Sequence, residues 1–172
     1  MVLTGRRPHA TCDMFAFMIR TITMCLLAAA VSGAADLATR KALTLAAAKE
    51  IAAAAEAEAV KNKWNVVIVI LDEGANPLYL QRMDTVQIAS VDVAIHKATS
   101  AVKFKRPTKV FEEQLTGGRQ AILRLPGAMP VEGGLPLMRD GYAIGAIGVS
   151  GVTSQQDGQI AAAGVAAFDK MR

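Results

Sequence analysis

The sequence predicts an α+β domain in which helices cover an antiparallel β-sheet. Two apolar stretches each turn back on a neighbouring stretch through turn chemistry, at Asp72–Pro77 and at Asp140-Gly141, and a hairpin makes its two strands antiparallel. Apolar residues recur at helical spacing before, between and after these hairpins, giving the order helix, hairpin, two helices, loop, hairpin, helix. The chain has 172 residues, 52% hydrophobic and 20% charged, which suits one packed domain and excludes a solvating, disordered chain.

Taken in chain order, the first feature is a leader. Met18 to Asp36 has a positive start at Arg20, a short apolar run from Ile22 to Val31, and the small residues Ser32-Gly33-Ala34-Ala35 that a signal peptidase accepts. The apolar run is about half the roughly 20 residues a membrane-spanning helix needs, so an export signal is expected and no stable membrane anchor. The alternative is a buried N-terminal helix. Residues 1–17 sit in front of this signal, which suggests translation from Met18 or an over-long gene start. Arg6-Arg7 is a twin arginine in name only, because no apolar segment follows closely. Cleavage after Ala34 or Ala35 would remove Cys12 and Cys25, leaving a periplasmic or secreted chain without cysteine, residues 36–172.

Leu43 to Lys61 reads as an alanine-rich helix with Thr44 as its N-cap and Leu45, Ala48, Ile51, Ala52, Ala55 and Ala59 inward. Asn65 to Leu71 is wholly apolar after its first residue and β-branched, hence a strand buried on both faces, with Leu78 to Arg82 as its hairpin partner. Ile88 to Phe104 is a second helix with Val91, Ala94, Ile95, Ala98, Ala101 and Val102 inward. Arg106-Pro107-Thr108 breaks it, and Thr108 is placed to cap a short helix over Lys109 to Leu115. Thr116 to Pro136 is rich in glycine and proline and reads as loop. Leu137 to Arg139 and Tyr142 to Val149 form the second hairpin. The last helix is expected to start at Ser154, with Asp157 completing a near capping box, and to run to about Lys170.

Composition removes several functions. Two cysteines give no disulfide framework, and no CxxC or zinc spacing is present. The formal charge of +4 is mild, and no basic tract with interleaved aromatics argues for nucleic acid. From Asp36 onward His96 is the sole histidine, one turn after Asp92. That spacing lets a carboxylate orient one ring nitrogen while the other binds a metal or moves a proton, although a solvated pair is the plainer reading. Lys97, Lys103, Lys105, Arg106 and Lys109 gather near the second helix and its end. They would hold the carboxylates or phosphates of a ligand, or simply favour a helix C-terminus. Gly133-Gly134 and Gly148-Val-Ser-Gly151 before a helix start allow close backbone approach to an anion, or close packing of a helix on a strand. They are neither a dinucleotide nor a P-loop fingerprint. Ser150 lacks the second glycine of a nucleophile elbow, which argues against a serine hydrolase.

Leu43-Thr-Leu-Ala-Ala-Ala-Lys49, Trp64-Asn-Val-Val-Ile-Val69, Phe104-Lys-Arg-Pro-Thr108, Gly133-Gly-Leu-Pro136 and Gly145-Ala-Ile-Gly-Val-Ser-Gly151 with Asp157 resemble the GlcG/HbpS family over residues 43–170. That family includes extracellular haem-binding proteins and the C-terminal domain of some PduO-type corrinoid adenosyltransferases. The resemblance implies a single α/β sandwich, a homo-oligomer that is commonly an octamer, and haem or a related tetrapyrrole as ligand. It also implies a role in capture, sensing or degradation of haem. Lys97, Arg106-Pro107-Thr108 and the glycine pairs match the family pattern. A threonine is implied as an iron ligand, and Thr108 is the matching position. His96 is a second candidate, particular to this chain, and Tyr79, Tyr142 or a methionine are others.

The ligand-binding set expected on these grounds is Lys97, Lys103, Arg106, Thr108, Gly133, Gly134, Ser150 and Gly151, with His96 and Thr108 as iron ligands. Without a CxxCH, any haem is held non-covalently. Two other readings stand beside this one. One is an enzyme or enzyme accessory acting on a small anionic metabolite at the glycine-rich loops, with Lys97 or His96 as acid or base, or a corrinoid-related binder. The other is a structural oligomer without a ligand.

Overall fold

A computed structural model describes residues 35–171, of which Arg40 onward belong to one compact unit. The leader, apart from its last two residues, and both cysteines lie outside the described residues. Four strands pair antiparallel in the order β2-β1-β4-β3, with two long helices on one face of that sheet and one on the other. The elements are α1 (Leu45–Lys61), β1 (Val67–Asp72), β2 (Pro77–Arg82), α2 (Ser90–Phe104), α3 (Lys109–Thr116), a 3-10 turn (Gln120–Arg124), β3 (Gly134–Arg139), β4 (Tyr142–Ser150) and α4 (Ser154–Asp169). The α+β class read from the two hairpins is the observed one.

Strand β1 is central and fully buried from Val67 to Leu71. Its alternation divides the core. Val66, Ile68 and Ile70 join Ile147, Val149 and Ile160 under α1 and α4, while Val67, Val69, Leu71 and Ala146 meet Ala94, Ala98 and Ala101 of α2. The β1–β4 register runs from Val67 opposite Ser150 to Asp72 opposite Gly145.

Thr44 caps α1, its hydroxyl accepting the Ala47 N–H at 3.2 Å. Ala48, Ile51, Ala52, Ala55 and Ala59 are buried as their spacing implies, but Leu45 is 50% exposed. Leu43, just before the helix, fills the inward place at that end instead. In α2 the periodicity holds for Ala94, Ala98, Ala101 and Val102, and it starts at Ser90, leaving Ile88 exposed.

Three boundaries differ from the sequence expectation. Strand β3 begins at Gly134, inside the stretch read as loop, because Pro136 lies on an edge strand, where a missing N–H costs no ladder bond. Part of that loop also winds into the 3-10 turn. The last helix is capped by Thr153, not Ser154: the Thr153 hydroxyl accepts the Gln156 N–H, and the Gln156 side chain accepts the Thr153 N–H. Gln156 thus completes the capping box and Asp157 is released to turn inward. Thr108 precedes α3 without a capping bond from its side chain.

Candidate functional site

Most of the residues singled out from the sequence do converge, at one buried node. Lys97 of α2 donates to an Asp157 carboxylate oxygen at 2.7 Å and to the Val149 carbonyl at 3.0 Å, its side chain 1% exposed. The second Asp157 oxygen accepts the Val152 N–H at 3.2 Å. Burial pushes the Asp157 carboxyl up from its ordinary range, against the pull of Lys97 and of the backbone N–H groups of Val152 and Gly151. Gly133 lies against this pair at φ +126°, and a Cβ there would meet Lys97 Nζ and Asp157 Cβ at 2.8 Å. At Gly134 a Cβ would sit 2.3 Å from the Lys97 carbonyl oxygen. Thr108 is tied to the same glycine: its N–H donates to the Gly134 carbonyl at 2.9 Å and its Oγ1 accepts the Gly134 N–H at 3.0 Å.

This geometry shows where the expected ligand residues lie. Lys97 leaves the cationic group, because its ammonium is consumed by Asp157 and Val149. Thr108 is fully buried and its hydroxyl faces the Gly134 backbone. Gly133, Gly134 and Gly151 are close-packed against Lys97, Asp157, Asn65 and Val66, and Ser150 is buried beside them at the end of β4. Gly148 is a packing glycine for α2, since Ala94 and Ala98 press on it.

His96, Lys103, Lys105 and Arg106 are exposed on or just after α2. Asp92 is exposed beside His96, and no hydrogen bond joins the two among the described residues. Arg106 donates to the Phe104 carbonyl and lies 5.8 Å from the Phe111 ring centre. None of these four lies in a cleft described for the domain.

Two clefts bear on ligand binding. One, about 280 Å³, runs between α3 and the start of α4 and is lined by Lys109 with Glu112, Glu113 and Glu132. Its three carboxylates would repel a dianionic ligand. Among the described residues no cluster of three or more His, Cys, Asp or Glu is arranged to hold a metal, and no helix is long and apolar enough to cross a membrane.

The other cleft, about 340 Å³, opens on the opposite side of the sheet from α2, where the approach to α1, the β3–β4 hairpin and the end of α4 meet. Leu43, Ile144 and Phe168 form its buried floor, Ala47 and Met171 complete the apolar wall, and Lys41 and Arg139 supply positive charge. Arg139 stacks on Phe168 at 4.5 Å and donates to the Phe168 and Met171 carbonyls at 2.8 and 3.0 Å. It thereby satisfies carbonyls left over at the end of α4. Nothing in the sequence pattern marked these residues; they come from three distant segments.

The four-stranded antiparallel sheet between one helix and a helix pair defines a small α+β sandwich class. Within it the chain belongs to the HbpS-like family, whose model, described as "Haem degrading protein HbpS-like", matches residues 43–166. Protein GlcG of Escherichia coli strain K12 is 40% identical over 112 residues, covering 65% of this chain and 84% of that protein. The crystal structure of HbpS superposes with a TM-score of 0.69 at 32% identity, covering 76% of this chain and 93% of that one. The crystal structure of a PduOC–haem complex superposes at 0.68 with 28% identity, covering 74% and 95%.

Proposed function

We propose that this protein binds haem, or a closely related tetrapyrrole, non-covalently. The observation that carries the reading is membership of the HbpS-like family across the folded domain, with a structural neighbour described in complex with haem. The residues present suit such a ligand. A porphyrin needs an apolar slot and cations for two propionates, and the cleft of Leu43, Ile144 and Phe168 with Lys41 and Arg139 supplies both. When bound, haem would bring redox-active iron; the chain's own part is to hold the ring and pair its carboxylates. Export through the leader and assembly into a homo-oligomer, an octamer by family likeness, belong to the same proposal, as does a role in haem capture, sensing or degradation.

The test is a hemin titration of the purified protein followed by absorbance, with sizing in the same buffer. The expected result is a saturable Soret shift at fixed stoichiometry per chain. A titration indistinguishable from free hemin would overturn the reading.

A further inference from the structure

We propose that the loop between α3 and β3 is a docking tip for an anionic lipid surface. This stands apart from the tetrapyrrole reading, because the residues concerned line neither of the two clefts. Between Glu113 and Glu132 the chain carries no acidic residue, while it holds Arg119, Arg124 and the run Ala121-Ile-Leu-Arg-Leu125. A 3-10 turn repeats every three residues, so one side chain in three faces the fold and the next two face out. Ile122 is the inward one, at 4% exposed, and Leu123 beside it is 61% exposed. Leu125, just past the turn, is 39% exposed, and Arg119 and Arg124 are exposed on either side. Single exposed leucines are ordinary; two within three residues, flanked by arginines, make a patch. The tip is also held in place. The Arg119 N–H donates to the Gln114 carbonyl at 2.9 Å where the loop leaves α3, and the Met129 N–H donates to the Ser100 hydroxyl at 3.0 Å where it returns to α2.

The cations are the second argument. Lys103, Lys105 and Arg106 end α2 just beyond Ser100, and all three are exposed. Arg106 lies 5.8 Å from the ring centre of Phe111, on the helix from which the loop springs. Among the described residues none of Lys103, Lys105, Arg106, Arg119 and Arg124 has an ion pair. The neighbouring acids are engaged elsewhere. Glu112 accepts the Glu132 N–H and the Ser154 hydroxyl, Glu132 pairs with Lys109, and these groups with Glu113 line the cleft towards α4. Apolar side chains at an exposed tip beside free cations suit a fluid anionic surface, where leucines enter the headgroup region and the cations stay with the phosphates. A protein partner would have to supply both a pocket for the leucines and carboxylates fixed opposite cations on two elements. Lipid headgroups rearrange to meet them. The docking is peripheral, since no helix among the described residues is long and apolar enough to cross a membrane.

The test is cosedimentation with vesicles of phosphatidylcholine alone, or with about one part in four of phosphatidylglycerol. It uses the protein without its leader, residues 36–172, which hold the compact unit and lack the apolar run Ile22–Val31 that itself partitions into lipid. Binding to the phosphatidylglycerol vesicles is expected to be at least about tenfold tighter, and the difference should vanish near about 1 M salt. L123S/L125S and R119Q/R124Q should each weaken it by about fivefold or more. All four side chains are exposed and Ile122 still holds the turn, so both variants keep the fold. K49Q/K63Q removes the same charge from exposed positions on and after α1 and should leave binding within about twofold. Equal binding to the two kinds of vesicle, or an equal loss in K49Q/K63Q and R119Q/R124Q, would overturn the proposal. So would binding to poly-L-glutamate with none to either vesicle, which would assign the patch to an acidic protein.

Discussion

At the scale of single residues the main feature is a buried charge pair. Lys97 and Asp157 join helices on opposite faces of the sheet, and removing water from both ions is expensive unless each keeps its partner. K97M is expected to destabilise the protein by about 3–5 kcal/mol, because it leaves a buried carboxylate unpaired, whereas K97M/D157L should recover most of that loss. Denaturant unfolding of both variants measures it, and a double variant no better than K97M would refute the account. A pH dependence follows. Burial already raises the Asp157 carboxyl, and without Lys97 its folded value stands further above the ordinary value near about 3.9. The folded K97M protein then binds the extra proton, so its stability is greatest below that ordinary value and is lost as pH rises through the raised one. The K97M protein should therefore unfold less readily at acidic than at neutral pH, when each is compared with K97M/D157L.

At the scale of elements, α2 lies unusually close to β4. A Cβ on Gly148 would stand 2.1 Å from the Ala94 carbonyl oxygen and 2.8 Å from the Ala98 nitrogen, both helix backbone that cannot rotate away. Substituting alanine must push α2 off the sheet and disturb Val67, Val69 and Leu71 beneath it. G148A is expected to cost about 1–3 kcal/mol in thermal or denaturant unfolding. G141A, at a turn with open space around it, would instead report only the strain of φ +80°. Equal losses in the two variants would argue against the close approach.

For the whole molecule, the candidate cleft is made by the approach to α1, the β3–β4 hairpin and the end of α4, so a ligand seated there braces three segments that are distant in sequence. A ligand that binds only the folded state adds about 2.7 kcal/mol at a hundred times its Kd. Saturating hemin should accordingly raise the unfolding midpoint by several degrees, and A47W should abolish the rise. An unchanged midpoint with a full Soret shift would mean that hemin binds the unfolded chain as tightly as the folded one.

The sequence by itself determined the α+β class, both hairpins, the four helices to within a residue or two at most ends, and the family. These are legible because period and turn chemistry act locally: β-branched residues at 66–70, alanines at helical spacing, and Asp140-Gly141 between apolar runs need no distant partner to be read. Its view of the site was poorer. Lys97, Thr108, Gly133 and Gly134 stood out as a ligand's residues, and they do meet, but around Asp157 and each other. Only the tertiary structure decided that, because whether a lysine faces solvent or a buried carboxylate depends on an element 60 residues further along. The same holds for Lys41, Arg139, Phe168 and Met171. A cleft is a property of three segments brought together, and no spacing within any one of them records it.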